Sequence, residues 1–142
     1  MEQGINVGIV PISMGKVPTP SALVVDDEAL IRWSVTEALT ESGFVVRQAG
    51  SGRDARAALA SFCGAPLVVV LDLRLPDVAD LSLLREIRAI RPDVPVVVMT
   101  AHGTPEALAQ AAALGAVRVV GKPFDVTDLT RIVNEAWTNR AE

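Results

Sequence analysis

Four apolar, β-branched stretches of the chain each lead into polar residues whose side chains can bind phosphate or a metal ion. These polar residues are Asp26, Asp27, Asp72, Thr100 and Lys122. Such stretches are typical of parallel strands that helices cover on both faces. Because parallel strands collect their reactive groups at their carboxyl ends, we expect these side chains to share one crevice.

Carboxylates that share a crevice repel one another, and their proton affinities rise unless a cation joins them. An all-oxygen cluster with room for water suits Mg²⁺. An aspartate can also attack phosphorus and form an acyl phosphate. Asp72 is best placed for this role because it lies on the central strand, with Thr100 and Lys122 beyond it to hold phosphoryl oxygens. The sequence therefore indicates magnesium-dependent phosphoryl chemistry at Asp72.

Alternating strand and helix patterns from Ser21 onward position these side chains. The predicted strands are 21–25, 44–48, 67–71, 95–99 and 117–120, and the predicted helices are 28–41, 53–62, 81–91, 105–114 and 126–138. This alternation predicts a doubly wound, five-stranded parallel α/β sheet with helices on both faces. Of the two common strand orders, the flavodoxin-like order 2-1-3-4-5 brings the acidic residues together where strands 1 and 3 meet.

Composition excludes several classes of protein. The chain has 142 residues, 50% of them hydrophobic, which suits one domain with a core. The net charge is −4 and Lys and Arg form no cluster, which argues against direct nucleic-acid binding. Cys63 is the one cysteine, so an internal disulfide is impossible. No apolar stretch reaches the roughly 18–20 residues that cross a bilayer, so we expect a soluble, cytoplasmic protein without membrane contact.

The beginning of the chain differs from the rest. Residues 1–19 are interrupted by glycine and proline, and we predict a poorly ordered lead-in there, with a strand over 5–12 as the alternative. Residues 20–140 are predicted to form the single domain. Within it, Trp33, Phe62 and Trp137 lie at helical spacing among apolar neighbours, which favours packing in the core.

Four segments of the chain resemble the motifs of the receiver domain of two-component response regulators. They are residues 24–28 with the acidic pair, 71–77 around Asp72, 99–101 with Thr100, and 121–124 with Lys122. The resemblance spans about 20–137, and residues 31–33 and 118–120 further resemble the NtrC-type branch. It implies a flavodoxin-like fold and a phosphoacceptor signalling domain, which assists its own phosphorylation and dephosphorylation but is not an enzyme.

The resemblance also implies roles for individual residues. Asp72 would accept a phosphoryl group from the phosphohistidine of a sensor histidine kinase or a phosphotransfer protein, and Thr100 and Lys122 would contact the phosphoryl oxygens. The implied Mg²⁺ ligands are Asp26, Asp27, Asp72 and the main-chain carbonyl of Arg74. Phosphorylation would then switch the face formed by helix 4, strand 5 and helix 5, where a homodimer is one possible output.

Two residues depart from the family's pattern, and two other functions stay open. Val119 stands where receivers usually carry Tyr or Phe, and Asp80 stands where many have glycine. A degenerate receiver that docks without phosphorylation is therefore one alternative. The other is an aspartate-nucleophile phosphatase, although that class requires a second aspartate at the position of Arg74. His102, two residues after Thr100, is placed by the resemblance at the mouth of the site.

Overall fold

The computed structural model describes residues 18–78, 81–101 and 103–140. Its strands are β1 (Ser21–Val25), β2 (Val45–Ala49), β3 (Val68–Asp72), β4 (Val96–Thr100) and β5 (Arg118–Gly121). Its helices are α1 (Ala29–Glu41), α2 (Gly52–Ser61), α3 (Ser82–Ile90), α4 (Pro105–Ala113) and α5 (Val126–Thr138). Strands and helices alternate along the chain as predicted, with each boundary within about one residue of its expected position.

The five strands form one parallel sheet in the order β2-β1-β3-β4-β5. The predicted flavodoxin-like order is therefore confirmed. β1 and β3 lie side by side, although α1, β2 and α2 separate them in the chain. This is the place where the direction of winding reverses, and it opens a crevice at the carboxyl ends of the two strands.

Helices cover both faces of the sheet and create two hydrophobic clusters. Val69 and Leu71 pack into the cluster that contains α2 and α3, whereas Val68 and Val70 pack into the cluster that contains α1 and α5. Successive side chains of a strand point to opposite faces, so an uninterrupted apolar strand serves both clusters. All five residues of β3 are buried, including Asp72 at its end.

The helix ends follow from local chemistry. Thr104 caps α4 by accepting a hydrogen bond from Ala107 N at 3.1 Å, and Pro105 occupies the first turn. Asp125 caps α5 in the same way with Thr127 N at 2.8 Å. Gly115 lies at φ 99°, a left-handed conformation that stops the chain after α4 and turns it toward β5.

The aromatic residues behave in two ways. Trp137 is buried in the α1–α5 cluster, where its ring meets Phe44 edge to face with centroids 6.2 Å apart, and Phe62 packs against the other cluster. The prediction for Trp33 was wrong, because its side chain is 57% exposed on α1. Helical spacing identified a stripe of apolar residues but not which side of that stripe faces the sheet.

Several expectations fall outside the described residues. They are the lead-in over residues 1–17 with its alternative strand, the position of Asp80 and the position of His102. Among the residues that the structure does describe, none of the helices has the length and apolar character needed to cross a membrane.

Two leucine truncations test the assignment of the core. Leu84 on α3 is fully buried, so Leu84→Ala should lower the free energy of unfolding by about 2–5 kcal/mol. Leu30 on α1 is 75% exposed, so Leu30→Ala should change it by less than about 0.5 kcal/mol. Urea unfolding followed by circular dichroism measures both values. Equal losses for the two variants would contradict the packing described here.

Candidate functional site

The carboxyl ends of four neighbouring strands carry the predicted site residues. These residues end β3 and β4 or directly follow β1 and β5: Asp72, Thr100, Asp26, Asp27 and Lys122. Val25 pairs with Leu71 in the β1–β3 ladder, so the aspartates that come next stand at the same level on adjacent strands. The parallel register therefore brings side chains that are distant in the sequence together in one crevice.

Three carboxylates meet in this crevice. One oxygen from each of Asp26, Asp27 and Asp72 lies within 4.8 Å of the others. Asp26 and Asp72 are 0% and 2% exposed, whereas Asp27 is open to solvent. The cleft beside them has a volume of about 370 Å³, and Asp27, Asp72, Arg74 and Lys122 are among its lining residues. It gives solvent and small solutes access to Asp72.

Lys122 supplies the positive charge that the acids require. Its Nζ donates to Asp26 Oδ2 at 2.9 Å, to Glu28 Oε1 at 3.1 Å and to Asp72 Oδ2 at 3.3 Å. Burial alone would lower the pKa of Lys122, but the hydrogen bonds to Asp26 and Glu28 and the surrounding negative charge outweigh burial and raise that pKa. The ammonium group is therefore charged at neutral pH.

The fold disfavours the ionised form of the Asp72 carboxyl. Burial raises the pKa of its carboxyl, and repulsion from Asp26 acts in the same direction. A hydrogen bond from Arg74 N at 3.0 Å and the charge of Lys122 lower this pKa, but they do not fully offset the desolvation. The ionised carboxylate at the centre of the crevice is thus short of compensating positive charge.

Backbone hydrogen bonds orient the acids. Asp26 Oδ1 accepts from Glu28 N at 2.8 Å at the start of α1. The main-chain carbonyl of Asp26 accepts from Arg32 Nη1 at 2.7 Å, and this guanidinium also donates to Gln48 at 3.3 Å. The segment between β1 and α1 is therefore fixed from both sides, which keeps the acidic pair aimed into the crevice.

The donor set fits Mg²⁺. Carboxylate oxygens are the hard ligands that this ion prefers, and an open cleft leaves room for the water molecules that it retains. Asp26, Asp27 and Asp72 together form an acidic pocket whose oxygens could hold such an ion. Arg74 lines the same cleft, and the role of its carbonyl as a ligand stays a prediction.

The residues predicted for the site lie together at one edge of the sheet, but the prediction missed two of their neighbours. Thr100 is 3% exposed at the end of β4, where its carbonyl accepts from Lys122 N at 2.8 Å. Glu28, which shares the ammonium group of Lys122, and Arg32, which binds the carbonyl of Asp26, were not predicted as parts of the site. The nearness of Glu28 to the acidic pair was a signal, whereas nothing in the sequence pattern identified the Arg32 contact.

Comparison with known proteins matches this arrangement to one family. Residues 22–134 match the family model described as the response regulator receiver domain. The DNA-binding transcriptional regulator NtrC of Proteus hauseri is 37% identical over 119 residues, which make up 84% of this chain and 25% of that protein. The chain spans about a quarter of the length of the curated relatives it matches.

Solved structures agree in fold. The receiver domain of NtrX from Brucella abortus is 35% identical with a TM-score of 0.76, covering 83% of this chain and 98% of that one. A response regulator receiver domain protein from Clostridium thermocellum is 29% identical with a TM-score of 0.77, covering 84% of this chain and 94% of that one.

The raised pKa of Asp72 predicts that Asp72→Asn stabilises the metal-free protein. The folded-state pKa lies above the ordinary value of 3.8, so the stability of the wild type falls as the pH rises from 3.8 through the folded-state pKa and stays lower above it. In EDTA at pH 7, the variant should have the larger free energy of unfolding, and its advantage should disappear as the pH falls toward 3.8. Urea titrations across this range measure the difference.

Asp93→Asn is the matched control with the opposite sign. Its hydrogen bond to Arg91 lowers the pKa of Asp93, so the amide variant should lose stability near neutral pH.

Mg²⁺ provides a second check, because a ligand at 100 times its Kd stabilises the folded state by about 2.7 kcal/mol. The wild type should gain this stability and Asp72→Asn much less. A metal-free wild type more stable than Asp72→Asn at pH 7 would contradict this account.

Proposed function

This chain belongs to the response regulator receiver domain family, and from that premise we propose that Asp72 is its phosphoacceptor. One observation carries the proposal: the Asp72 carboxylate is buried at the centre of an open crevice, between two further aspartates and the ammonium group of Lys122. Such a carboxylate can be reached from the cleft, its negative charge is only partly compensated, and its orientation is fixed. These properties suit a nucleophile that reacts with a positioned phosphoryl group.

The reaction that we propose is a single phosphoryl transfer. An oxygen of Asp72 forms a bond to phosphorus while the bond between phosphorus and a nitrogen of the donor's phosphohistidine breaks, and that nitrogen keeps the electron pair. The product is an acyl phosphate on Asp72. Bound Mg²⁺ supplies positive charge to the phosphoryl oxygens. The ligands proposed for it are Asp26, Asp27, Asp72 and the main-chain carbonyl of Arg74.

Lys122 and Thr100 complete the proposed chemistry. The ammonium group of Lys122 is shared among three acids, and a phosphoryl group on Asp72 would offer it a more highly charged partner. Thr100 at the end of β4 would donate its hydroxyl to another phosphoryl oxygen. The charge that develops during transfer is then met by groups already in place, which is the usual source of catalysis in phosphoryl transfer. The domain thus assists its own phosphorylation without turning over a substrate.

The donor that we propose is a sensor histidine kinase or a phosphotransfer protein. An exposed apolar surface beside the site supports a protein donor. Leu30 and Phe124 line a cavity of about 230 Å³ that Lys122 also borders, and Trp33 is exposed one helical turn away. Apolar side chains left open at the mouth of a reactive site are typical of a surface that a partner covers.

Phosphorylation would be transmitted to other proteins through a change in the face formed by α4, β5 and α5. Ala111 is the buried residue of α4 among those the structure describes, so little apolar area holds this helix to the sheet. β5 is only partly buried, and Val119 on it lacks the ring of the usual aromatic residue. We propose that this face rearranges after phosphorylation and that self-association is one output. The net charge of −4 argues against direct nucleic-acid contact through these residues.

Chemical phosphorylation tests the assignment of Asp72. Incubation with acetyl phosphate and Mg²⁺ should add one acid-stable, base-labile phosphoryl group, detected by intact mass spectrometry, and EDTA should prevent it. Asp72→Asn should lose the modification, because no carboxylate remains at that position to attack phosphorus. Asp93→Asn, which removes an exposed acid far from the cleft, should keep it. Labelling that survives in Asp72→Asn would contradict the proposal.

Two further measurements, turnover of a phosphoester and binding of a partner, separate the alternatives. Sustained hydrolysis of a phosphoester would favour the aspartate-nucleophile phosphatase. An unmodified wild type that still binds a partner would favour the docking module.

Hydrogen exchange tests the proposed output face. Adding Mg²⁺ and beryllofluoride, a phosphoryl analogue, should change amide exchange in α4 and β5, because Thr100 and Lys122 gain new partners next to these elements. Measured against a sample with Mg²⁺ alone, exchange in α2 should change less. An unaltered profile over α4 and β5, with the analogue shown to be bound, would count against switching through this face.

A further inference from the structure

Asp77 links two parts of the chain that are distant in sequence. Both oxygens of its carboxylate accept backbone hydrogen bonds at the start of α2, Oδ1 from Gly52 N at 2.7 Å and Oδ2 from Arg53 N at 2.9 Å. These two hydrogen bonds lower the pKa of the Asp77 carboxyl, so it is ionised at neutral pH. Asp77 itself lies in the connection between β3 and α3, five residues after the proposed phosphoacceptor.

The contact is tight as well as polar. Gly52 is buried, and a Cβ added there would overlap Val78 Cγ1 and lie 3.2 Å from Asp77 Oδ1. Glycine therefore lets the backbone of α2 approach the β3–α3 connection closely. Hydrogen bonds from the helix and van der Waals contact with Val78 fix the same short segment.

Helix capping alone does not account for this contact. The side chain of Ser51 already accepts from Asp54 N at 3.1 Å, which is the usual local cap of a helix. Asp77 satisfies two further N–H groups of the first turn from another loop. The additional bonds therefore fix the loop to the helix.

The loop fixed in this way carries a proposed metal ligand. On its site side, Arg74 N donates to Asp72 Oδ1 at 3.0 Å, and Leu75 is anchored in the core at 7% exposure. On its far side, Asp77 anchors it to α2. Pro76 between these anchors has a restricted backbone. Few degrees of freedom are left to the carbonyl of Arg74 while both ends are held.

We propose that Asp77 is a positioning residue that increases the affinity of the site for Mg²⁺ by holding the Arg74 carbonyl toward the acidic crevice. Asp77 does not touch the metal or the reacting atoms. The inference rests on the proposed function, because it takes Arg74 as a ligand. Residues that orient metal ligands change affinity by about 10–100-fold when they are removed.

Calorimetric titration of Mg²⁺ into the purified chain tests the proposal. Asp77→Ala should bind Mg²⁺ about tenfold more weakly than the wild type, and Asp77→Asn, which keeps one good acceptor, should lie between them. Asp54→Ala is the matched control. It removes an acid from the same helical turn, and the side chain of Asp54 is 56% exposed and makes no bond to residues 73–78, the part of the loop that the structure describes. It should bind Mg²⁺ as the wild type does.

A second pair of variants approaches the same contact from the helix. Gly52→Ala should weaken Mg²⁺ binding because its methyl group displaces Val78, and adding Val78→Ala should restore part of the lost affinity. Amide exchange of Gly52 and Arg53 in the metal-free protein reports directly on the contact, and it should accelerate in Asp77→Ala. Urea unfolding of each variant confirms that the titrated protein is folded.

The outcomes separate this inference from the function on which it rests. No Mg²⁺ binding by the wild type would overturn the proposed function itself. Wild-type affinity in folded Asp77→Ala, with faster exchange at Gly52 and Arg53, would overturn the positioning role and leave the function intact. Equal weakening in Asp77→Ala and Asp54→Ala would reduce the effect to the loss of one negative charge and would also overturn it.

Discussion

Electrostatic repulsion among buried carboxylates is the constraint on which the site depends. Asp26 and Asp72 are almost fully buried, and only Lys122 among the described residues bridges both. Loss of the Lys122 ammonium group would leave both acids uncompensated, and in typical proteins a buried charge that loses its partner costs about 3–5 kcal/mol. The fold tolerates the acids because one ammonium group is shared among them. This compromise leaves the crevice receptive to a cation and to a phosphoryl group, which together restore the balance of charge.

The parallel sheet makes this arrangement possible. The order β2-β1-β3-β4-β5 makes neighbours of the strands that carry the acids, the hydroxyl and the lysine. The apolar residues of β1, β3 and β4 are buried on both faces, so these strands cannot slide without exposing them. Rigid strands hold the reactive groups at fixed positions, and the connections that follow them, such as the one containing Arg74 and Asp77, adjust the remaining ligands. The sheet thus fixes the positions of the reactive groups, and the loops set the positions of the remaining metal ligands.

Sequence patterns predicted the sheet and the position of the polar residues at its strand ends, because both depend on local signals. Uninterrupted valine runs identify strands buried on two faces, and polar residues at their ends identify the site. Contacts between distant loops carry no such signal. The hydrogen bonds from the start of α2 to Asp77 depend on how the β3–α3 connection lies in space. An aspartate in a predicted turn usually bonds its own backbone, so the sequence does not indicate a contact with a distant helix. Trp33 was wrongly assigned to the core for a related reason. Helical periodicity shows that a helix has an apolar face but not which residues of that face contact the sheet.

A crystal structure of the chain with Mg²⁺ and beryllofluoride tests the central claim most directly. Beryllium should be bonded to a carboxylate oxygen of Asp72, the metal should contact the acidic crevice, and Lys122 should have moved from Asp72 to a fluorine. Beryllofluoride on a different carboxylate, or Mg²⁺ bound away from Asp26 and Asp27, would contradict it.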